Sequence, residues 1–259
     1  MCLILFAYNA HPRYKLILAA NRDEFYSRPT APAGFWEDAP KILAGRDLVY
    51  NGTWLGITKN GRFSAVTNYR DPNAPEGVKS RGDLTKDFLK GTKTAENYLQ
   101  EIEQNKSDYS GFNLLIGEFR EDKSEFLYFS NRGDGIKNLS KGIYGLSNHL
   151  IDTNWHKVET GKRRFKGIVQ KSDEIDSAEL INILQNRTVA TDEKLPNTGI
   201  GIERERILSP AFIETEDYGT RSSTVLLMEN SGKVKFTEKT FIGTTGEVNY
   251  EFSVEYSYL

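Results

Sequence analysis

The first twenty-five residues, MCLILFAYNAHPRYKLILAANRDEF, constrain this chain more than any other stretch. Residues 2–8 and 14–20 are dense apolar runs, and the turn-forming residues between them include Asn9 and Pro12. Two such runs joined by a short polar break predict a buried β-hairpin. Asn21, Arg22, Asp23 and Glu24 follow at once. Four polar residues at the end of a buried strand either pair with one another at the surface or take part in chemistry. At the other end of the hairpin stands Cys2, the single cysteine of the chain. Removal of the initiator methionine, common before a small residue, leaves Cys2 with a thiol and a free α-amine on one carbon. An α-amine titrates near ~7.7–8.0 and a thiol near ~8.5, so a nucleophile and its base arrive together. The plainer reading of Cys2 is a small hydrophobe opening a buried strand.

Further along, residues 26–41 hold Pro29, Pro32, Pro40, Gly34 and Trp36 and predict an irregular, ordered loop. Short strands are expected over 42–44, 53–58 and 62–68, with turns at Asn51-Gly52 and Asn60-Gly61. Helical spacing marks 80–90 and 94–104, then strands return at 112–119, 125–130 and 143–147. Two more helices are read over 152–170 and 177–185, a loop over 188–206, and a closing hairpin over 222–228 and 234–241. A last strand is expected within 248–258, and 207–213 carries no readable period. No repeat or linker divides the 259 residues, so one domain is expected. Because tight turns join most strand pairs, the fold class is α+β with antiparallel sheets.

Charge excludes some functions. With 34 basic and 36 acidic residues and a pI near 6.0, the chain has no global field to draw nucleic acid or an anionic membrane. The opening apolar run is too short for a membrane span and lacks the flanks of a secretory signal, so stable membrane insertion is not expected. One cysteine and three scattered histidines give no metal-site spacing, and neither metal nor cofactor is expected. A lone thiol and no signal predict a reducing, cytoplasmic location. The sequons at Asn51, Asn105, Asn138 and Asn186 are then chance matches. The two RGD tripeptides, at Arg81 and Arg132, have helix-start and turn explanations, and Lys162-Arg163-Arg164 reads as a solvated helix face.

Cys2 starts a strand, while Asp23, Asn68, Asn148 and Arg221 each lie at or beside a strand end, where side chains can converge on one rim of a sheet. These residues sit in blocks: the opening Met-Cys; Asn21-Arg22-Asp23-Glu24 with Ser27-Arg28-Pro29; Gly45-Arg46-Asp47; and 51–56. Thr67-Asn68-Tyr69-Arg70, Ser80-Arg81-Gly82, Tyr144-Gly145-Leu146-Ser147-Asn148 and Tyr218-Gly219-Thr220-Arg221 continue the series. In that order they closely resemble the NRDE family, also called the transport and Golgi organisation 2 family, from Met1 to at least Leu227. The resemblance implies a fold like that of the N-terminal nucleophile hydrolases, a four-layer αββα sandwich around two antiparallel sheets. The animal members of the family are linked to Golgi organisation, to mitochondrial and lipid metabolism and to haem trafficking.

A more distant likeness, to cysteine-nucleophile amidases such as bile-salt hydrolases, penicillin V acylases and C69 dipeptidases, suggests roles. Ala20-Asn21-Arg22-Asp23 stands where those enzymes carry Arg-Asn-x-Asp, with Ala20 in place of their arginine and Arg22 two residues on. Thr67-Asn68-Tyr69 is similar to their Leu-Asn-Phe block and Leu146-Ser147-Asn148 to their Leu-Thr-Asn-Asn block. The likeness implies Cys2 as nucleophile, Asp23 as its anchor, Asn68 and Asn148 as oxyanion donors and Arg221 as the late arginine. Asn21, Arg22, Glu24, Tyr69 and Arg70 are expected to support them. A cation from Arg22 or Arg221 would favour thiolate. The implied reaction is hydrolysis of a small-molecule amide or ester through an acyl-cysteine.

A Cys–His pair using His11 or His149 is the chemical rival. A cleft that binds a lipid-like or haem ligand without catalysis is the rival of another class, and Phe25, Tyr26, Phe35 and Trp36 are its candidate lining, with loop packing as their simpler explanation. Neither oligomeric state nor substrate is legible in these residues.

Overall fold

The computed structural model describes residues 2–121, 123–171 and 173–256. The first strands along the chain are β1 (Cys2–Tyr8), β2 (Tyr14–Phe25), β3 (Thr30–Trp36), β4 (Ala39–Asp47), β5 (Leu55–Thr58) and β6 (Arg62–Asn68). Helices α1 (Arg81–Lys90) and α2 (Ala95–Gln104) come next, followed by β7 (Phe112–Phe119), β8 (Ser124–Ser130), β9 (Lys137–Asn138) and β10 (Gly142–Leu146). Three helices, α3 (His156–Lys171), α4 (Ser177–Leu184) and α5 (Ile202–Ile207), precede β11 (Tyr218–Glu229), β12 (Lys233–Thr240) and β13 (Gly246–Ser253).

These elements form two compact units, Met1–Ser27 with Arg70–Asn73 and Lys141–Glu251 in one, and Arg28–Tyr69 with Ala74–Ser140 and Phe252–Leu259 in the other. The sheet of the first unit has the order β10-β1-β2-β11-β12-β13, and that of the second runs from β3 to β9 in sequence order. The hairpin expected at the start of the chain is present, with Cys2 opposite Arg22 and Tyr8 opposite Leu16. Strand alternation then sorts the first unit's core. Leu3, Leu5, Ala7, Ile17, Ala19, Val225 and Leu227 pack with Val158, Phe165 and Val169 of α3 and Leu180 and Leu184 of α4. Ile4, Phe6, Leu16 and Leu18 are buried as well. Burial of both sets explains why these strands read as continuous apolar runs rather than alternating ones. In the second unit Leu84 and Phe88 of α1 and Leu99 and Ile102 of α2 pack on Leu114, Ile116, Leu127 and Phe129. Among the described residues no helix is long and apolar enough to cross a membrane.

Several elements depart from expectation. The stretch 26–41 is not an irregular loop but contributes β3 and the start of β4. Pro32 is tolerated because β3 is the edge of its sheet, where one side of the strand carries no ladder bonds. The pairing slips between Ala31 and Gly34 and again between Phe35 and Trp36, which takes up the irregularity of the sequence. Trp36 is buried with its Nε1 donating to the Ala44 carbonyl at 3.1 Å, and Phe35 meets Phe252 edge-on. Both are packing aromatics. β2 continues through the polar run to Phe25, because β11 supplies its ladder partners there. The segment 188–206 holds most of α5, and the last strand ends at Ser253. Residues 257–258 of the expected strand, like Met1, lie outside the described residues.

Helix α3 is seated on the first sheet by two small residues. A Cβ added at Gly145 would lie 2.7 Å from Val158 Cγ1, and one at Gly161 would lie 3.0 Å from Leu5 Cδ1. Val158 cannot rotate away, because a β-branched side chain on a helix has one strongly favoured rotamer. Gly145→Ala is therefore expected to lower stability by about 1–3 kcal/mol through overpacking, and Val158→Ala in the same chain to restore part of it. Urea unfolding of the single and double variants checks this, and additive losses would contradict it.

Candidate active site

The end of the β1–β2 hairpin gathers most of the residues singled out in the sequence. Cys2 is partly buried and lies opposite Arg22 in the register. Asp23 is one residue further along β2, beyond the last pair and on the side of the Cys2 backbone nitrogen. β11 runs alongside, pairing Ser223 with Asn21 and Thr220 with Asp23, and a register shift between Thr220 and Ser222 leaves Arg221 out of the ladder. On the other side β10 pairs Leu146 with Ile4. Run on by two residues, that register brings Asn148 level with Cys2. The Ser147 hydroxyl ties the two together, 2.9 Å from the Cys2 carbonyl oxygen and 3.1 Å from Asn148 Oδ1.

Not all of these side chains are available for chemistry. Asn21 Nδ2 donates to the carbonyls of Leu184 and Ala211 at 2.9 and 2.8 Å, and its Oδ1 accepts from Ser223 Oγ at 2.6 Å. Those bonds use both of its donors, so Asn21 staples β2 to the end of α4 and to the segment before β11. Arg221 Nη1 donates to the carbonyls of Phe25 and Tyr26 at 2.8 and 2.7 Å. It holds the backbone where β2 ends. Glu24 accepts from the Phe25 amide at 2.9 Å and lies 3.9 Å from Arg22 Nη2. Asn68 ends β6 opposite Phe112, and the Tyr69 amide donates to the Gly111 carbonyl, so both belong to the second unit.

Behind Cys2 lies a buried charge cluster. Asp23, 2 % exposed, accepts from Thr220 Oγ1 at 2.7 Å. Thr220 Oγ1 in turn accepts from the Ile213 amide at 3.0 Å. Burial pushes the Asp23 carboxyl above the ordinary carboxylate range, while Lys157, the Thr220 bond and Arg70 pull it back. Arg70 makes an ion pair with the buried Glu205 and stacks over Trp155 at 4.7 Å, and its amide donates to the Asn148 carbonyl at 2.7 Å. Lys157, in the first turn of α3 and 3 % exposed, donates from Nζ to the Leu208 carbonyl at 3.0 Å. Burial brings its ammonium down to about 8 against the opposing pull of Asp23. Tyr218 places its hydroxyl 3.3 Å from the Asp23 carbonyl. Two acids and two bases thus balance in formal charge, which is what makes so many buried ionisable groups tolerable.

The thiol departs from expectation. Burial pushes Cys2 above its ordinary value and the Asp23 charge adds to this, while Arg22 and a hydrogen bond from the Asp23 backbone only partly offset them. Arg22 does favour thiolate, but desolvation is the larger effect. A standing thiolate at neutral pH is therefore not part of this site, and a base must take the proton. Of the histidines, His11 accepts from the Arg13 amide at 3.1 Å in the turn at the far end of β1, roughly 20 Å along a seven-residue strand from Cys2. His149 Nδ1 lies 2.9 Å from Thr153 Oγ1 in its own turn, and burial lowers its pKa. Phe25 packs edge-on against Tyr218.

Lys157 and Glu205 escaped sequence reasoning. Both lie in segments read by periodicity or left as loop, and neither sits at the end of a strand. Tyr218 and Thr220 stood inside a quoted block without an assigned role.

The comparisons with known proteins agree with this architecture. The sequence profile of the family described as "Transport and Golgi organisation 2" matches residues 1–243. The chain belongs to this family. It is 35% identical over 264 residues to the transport and Golgi organization protein 2 homolog of Bos taurus, covering 94% of each chain. With the Drosophila melanogaster protein it shares 31% over 269 residues, 94% of this chain and 93% of that one. Among solved structures, the C2A variant of a conjugated bile acid hydrolase from Clostridium perfringens superposes with a TM-score of 0.54 at 10% identity, covering 100% of this chain and 99% of that one. At that identity the likeness is one of fold. The fold is the α+β, αββα class of the N-terminal nucleophile hydrolases, with two antiparallel sheets.

Thr220 satisfies Asp23 and the Ile213 amide at once. Thr220→Val keeps the shape and deletes the hydroxyl, leaving two buried partners short of a bond. A loss of about 1–3 kcal/mol in urea unfolding is expected. A loss near zero would mean that Asp23 does not depend on this bond.

Proposed function

We propose that this protein is a cytoplasmic N-terminal cysteine hydrolase, acting on an amide or ester bond of a small molecule through an acyl-cysteine intermediate. The observation that carries the reading is the position of Cys2, first on β1 and opposite Arg22 with the buried Asp23 next along β2, in a fold of the N-terminal nucleophile class. The fold neighbour named above is a hydrolase of conjugated bile acids.

The chemistry follows from the thiol. Since burial keeps it protonated, attack requires a base within reach, and removal of Met1 supplies one as the Cys2 α-amine. The α-amine takes the thiol proton as sulfur bonds to the substrate carbonyl carbon. The carbonyl electron pair moves onto oxygen, and in this reading the Asn148 amide donates a hydrogen bond to it. Collapse of that intermediate re-forms the carbonyl and breaks the bond to the leaving nitrogen or oxygen, which receives the proton from the α-ammonium. Water then attacks the thioester with the α-amine again as base, releasing the acid and restoring the thiol. Asp23 orients the α-amine, and Tyr218, Thr220 and Arg221 hold the strand end that carries Asp23.

Intact-protein mass spectrometry with a panel of N-acyl amides and activated esters tests this. The chain lacking Met1 should gain one acyl mass and turn over, while Cys2→Ala and an N-terminally blocked chain should do neither. Asn148→Ala should slow acylation by ~10²–10³-fold, the value of one oxyanion donor. Turnover that survives Cys2→Ala, or that proceeds with Met1 retained, would overturn the mechanism. Retention of Met1 in the working protein would do so as well.

A further inference from the structure

Among the described residues, the large apolar side chains left in solvent stand singly along the chain except at one place. Leu48, Val49 and Tyr50 follow one another and are 50 %, 47 % and 60 % exposed. Isolated exposed apolar residues are ordinary, whereas a contiguous apolar tip marks an interaction site. This tip lies on the loop from β4 to β5, wholly within the second unit.

The loop is held at its base. The Asp47 amide donates to the Gly52 carbonyl at 3.0 Å and closes the turn, and Asn51 takes a left-handed φ of 56° inside it. Gly52 sits against α1, where an added Cβ would come 2.8 Å from the Gly82 carbonyl carbon. Asp47 also organises the tip itself. Its Oδ1 accepts from the Val49 amide and its Oδ2 from the Tyr50 amide, each at 3.3 Å, while the Leu48 amide donates to the Pro29 carbonyl at 3.1 Å. Arg28 then donates from Nε and Nη2 to the two Asp47 oxygens at 3.0 and 2.8 Å, with its guanidinium 5.4 Å from the centre of the Tyr50 ring.

These bonds select the partner. The four successive amides of residues 47 to 50 are satisfied inside the protein, the condition that lipid imposes on any backbone brought near it. The one cation beside the tip is cancelled by a two-point carboxylate contact, so entry into an apolar medium strips no net charge of its water. Both members of that pair keep some exposure, and side by side they complement the phosphate and ammonium of a zwitterionic headgroup. Leucine and valine next to an amphipathic tyrosine and a guanidinium are the side chains of an interfacial anchor. A protein partner would need a cavity shaped to a convex turn, whereas a fluid lipid surface conforms to one.

We propose that residues 48–50 form a reversible anchor that enters the headgroup–acyl boundary of a zwitterionic phospholipid layer, with Leu48 and Val49 in the apolar part and the Arg28–Asp47 pair among the headgroups. The contact is peripheral and three side chains in extent. It does not depend on the hydrolase reading.

Flotation of the full chain with phosphatidylcholine vesicles tests this. The wild-type protein should float with them equally at low and high salt, because no net charge drives the contact. Leu48→Ser combined with Val49→Ser should lower the partition coefficient by ~10-fold or more. Its circular dichroism should be unchanged, since both side chains are exposed. As a second readout, Val49→Cys in a Cys2→Ala chain, labelled with nitrobenzoxadiazole, should brighten and shift to the blue when the same vesicles are added. Wild-type protein that never floats overturns the proposal, and so does a double variant that floats as well as wild type or a label that stays unchanged. Binding that requires phosphatidylserine and vanishes in high salt would move the contact to a charged face and overturn it too. A concentration-dependent dimer in sedimentation velocity that the double variant loses, without flotation, would give the tip to a second copy of the chain instead of lipid.

Discussion

The site depends on how Asp23 is accommodated. A carboxylate almost wholly removed from water is tolerable only with hydrogen bonds and opposite charge around it. Each of these comes from a different part of the chain: Thr220 from β11, Lys157 from α3 and Arg70 from the short link between β6 and α1. Arg70 in turn is tied to Glu205 on α5 and to the backbone of Asn148. Building a home for one acid thus fixes the ends of β2 and β11, the stretch after β10 and the first turn of α3 with respect to Cys2.

The same burial shapes the reactivity. A solvent-exposed cysteine beside arginines would ionise readily, but here desolvation outweighs the nearby arginine and keeps the thiol neutral. Under the proposed mechanism the thiol is quiet until a base is delivered to it. The proposed mechanism draws its base from removal of Met1 rather than from a histidine. His11 and His149 each hold a local turn.

Much of the fold was legible in local pattern. The opening hairpin, the β5–β6–β7–β8 strands and the helices α1 to α4 follow apolar period and turn chemistry, and in the structure Ser80 and Thr94 cap α1 and α2. What was illegible was pairing that local pattern does not encode. β3 reads as loop because Pro32 and Gly34 break its period, and only its place at a sheet edge makes it a strand. β2 reads as ending at Ala20 because polarity begins there, and only the partner β11 carries it on to Phe25. At the site, Asn21 and Arg221 were legible as residues but not as roles. Their hydrogen bonds go to backbone carbonyls contributed by distant segments.

By itself the sequence determined the α+β class, the antiparallel pairing, the family and the placing of Cys2 and Asp23 on neighbouring strand ends, because periodicity, turns and short motifs are local properties. Only the tertiary structure decided that Lys157 and Glu205 join them, that Asn21 and Arg221 serve the backbone, and that the thiol is pushed up rather than down. The physical reason is that ionisation and hydrogen-bond partnership in a buried cluster are set by what is desolvated together. Residues 2, 23, 70, 157 and 205 become neighbours only when the chain has packed.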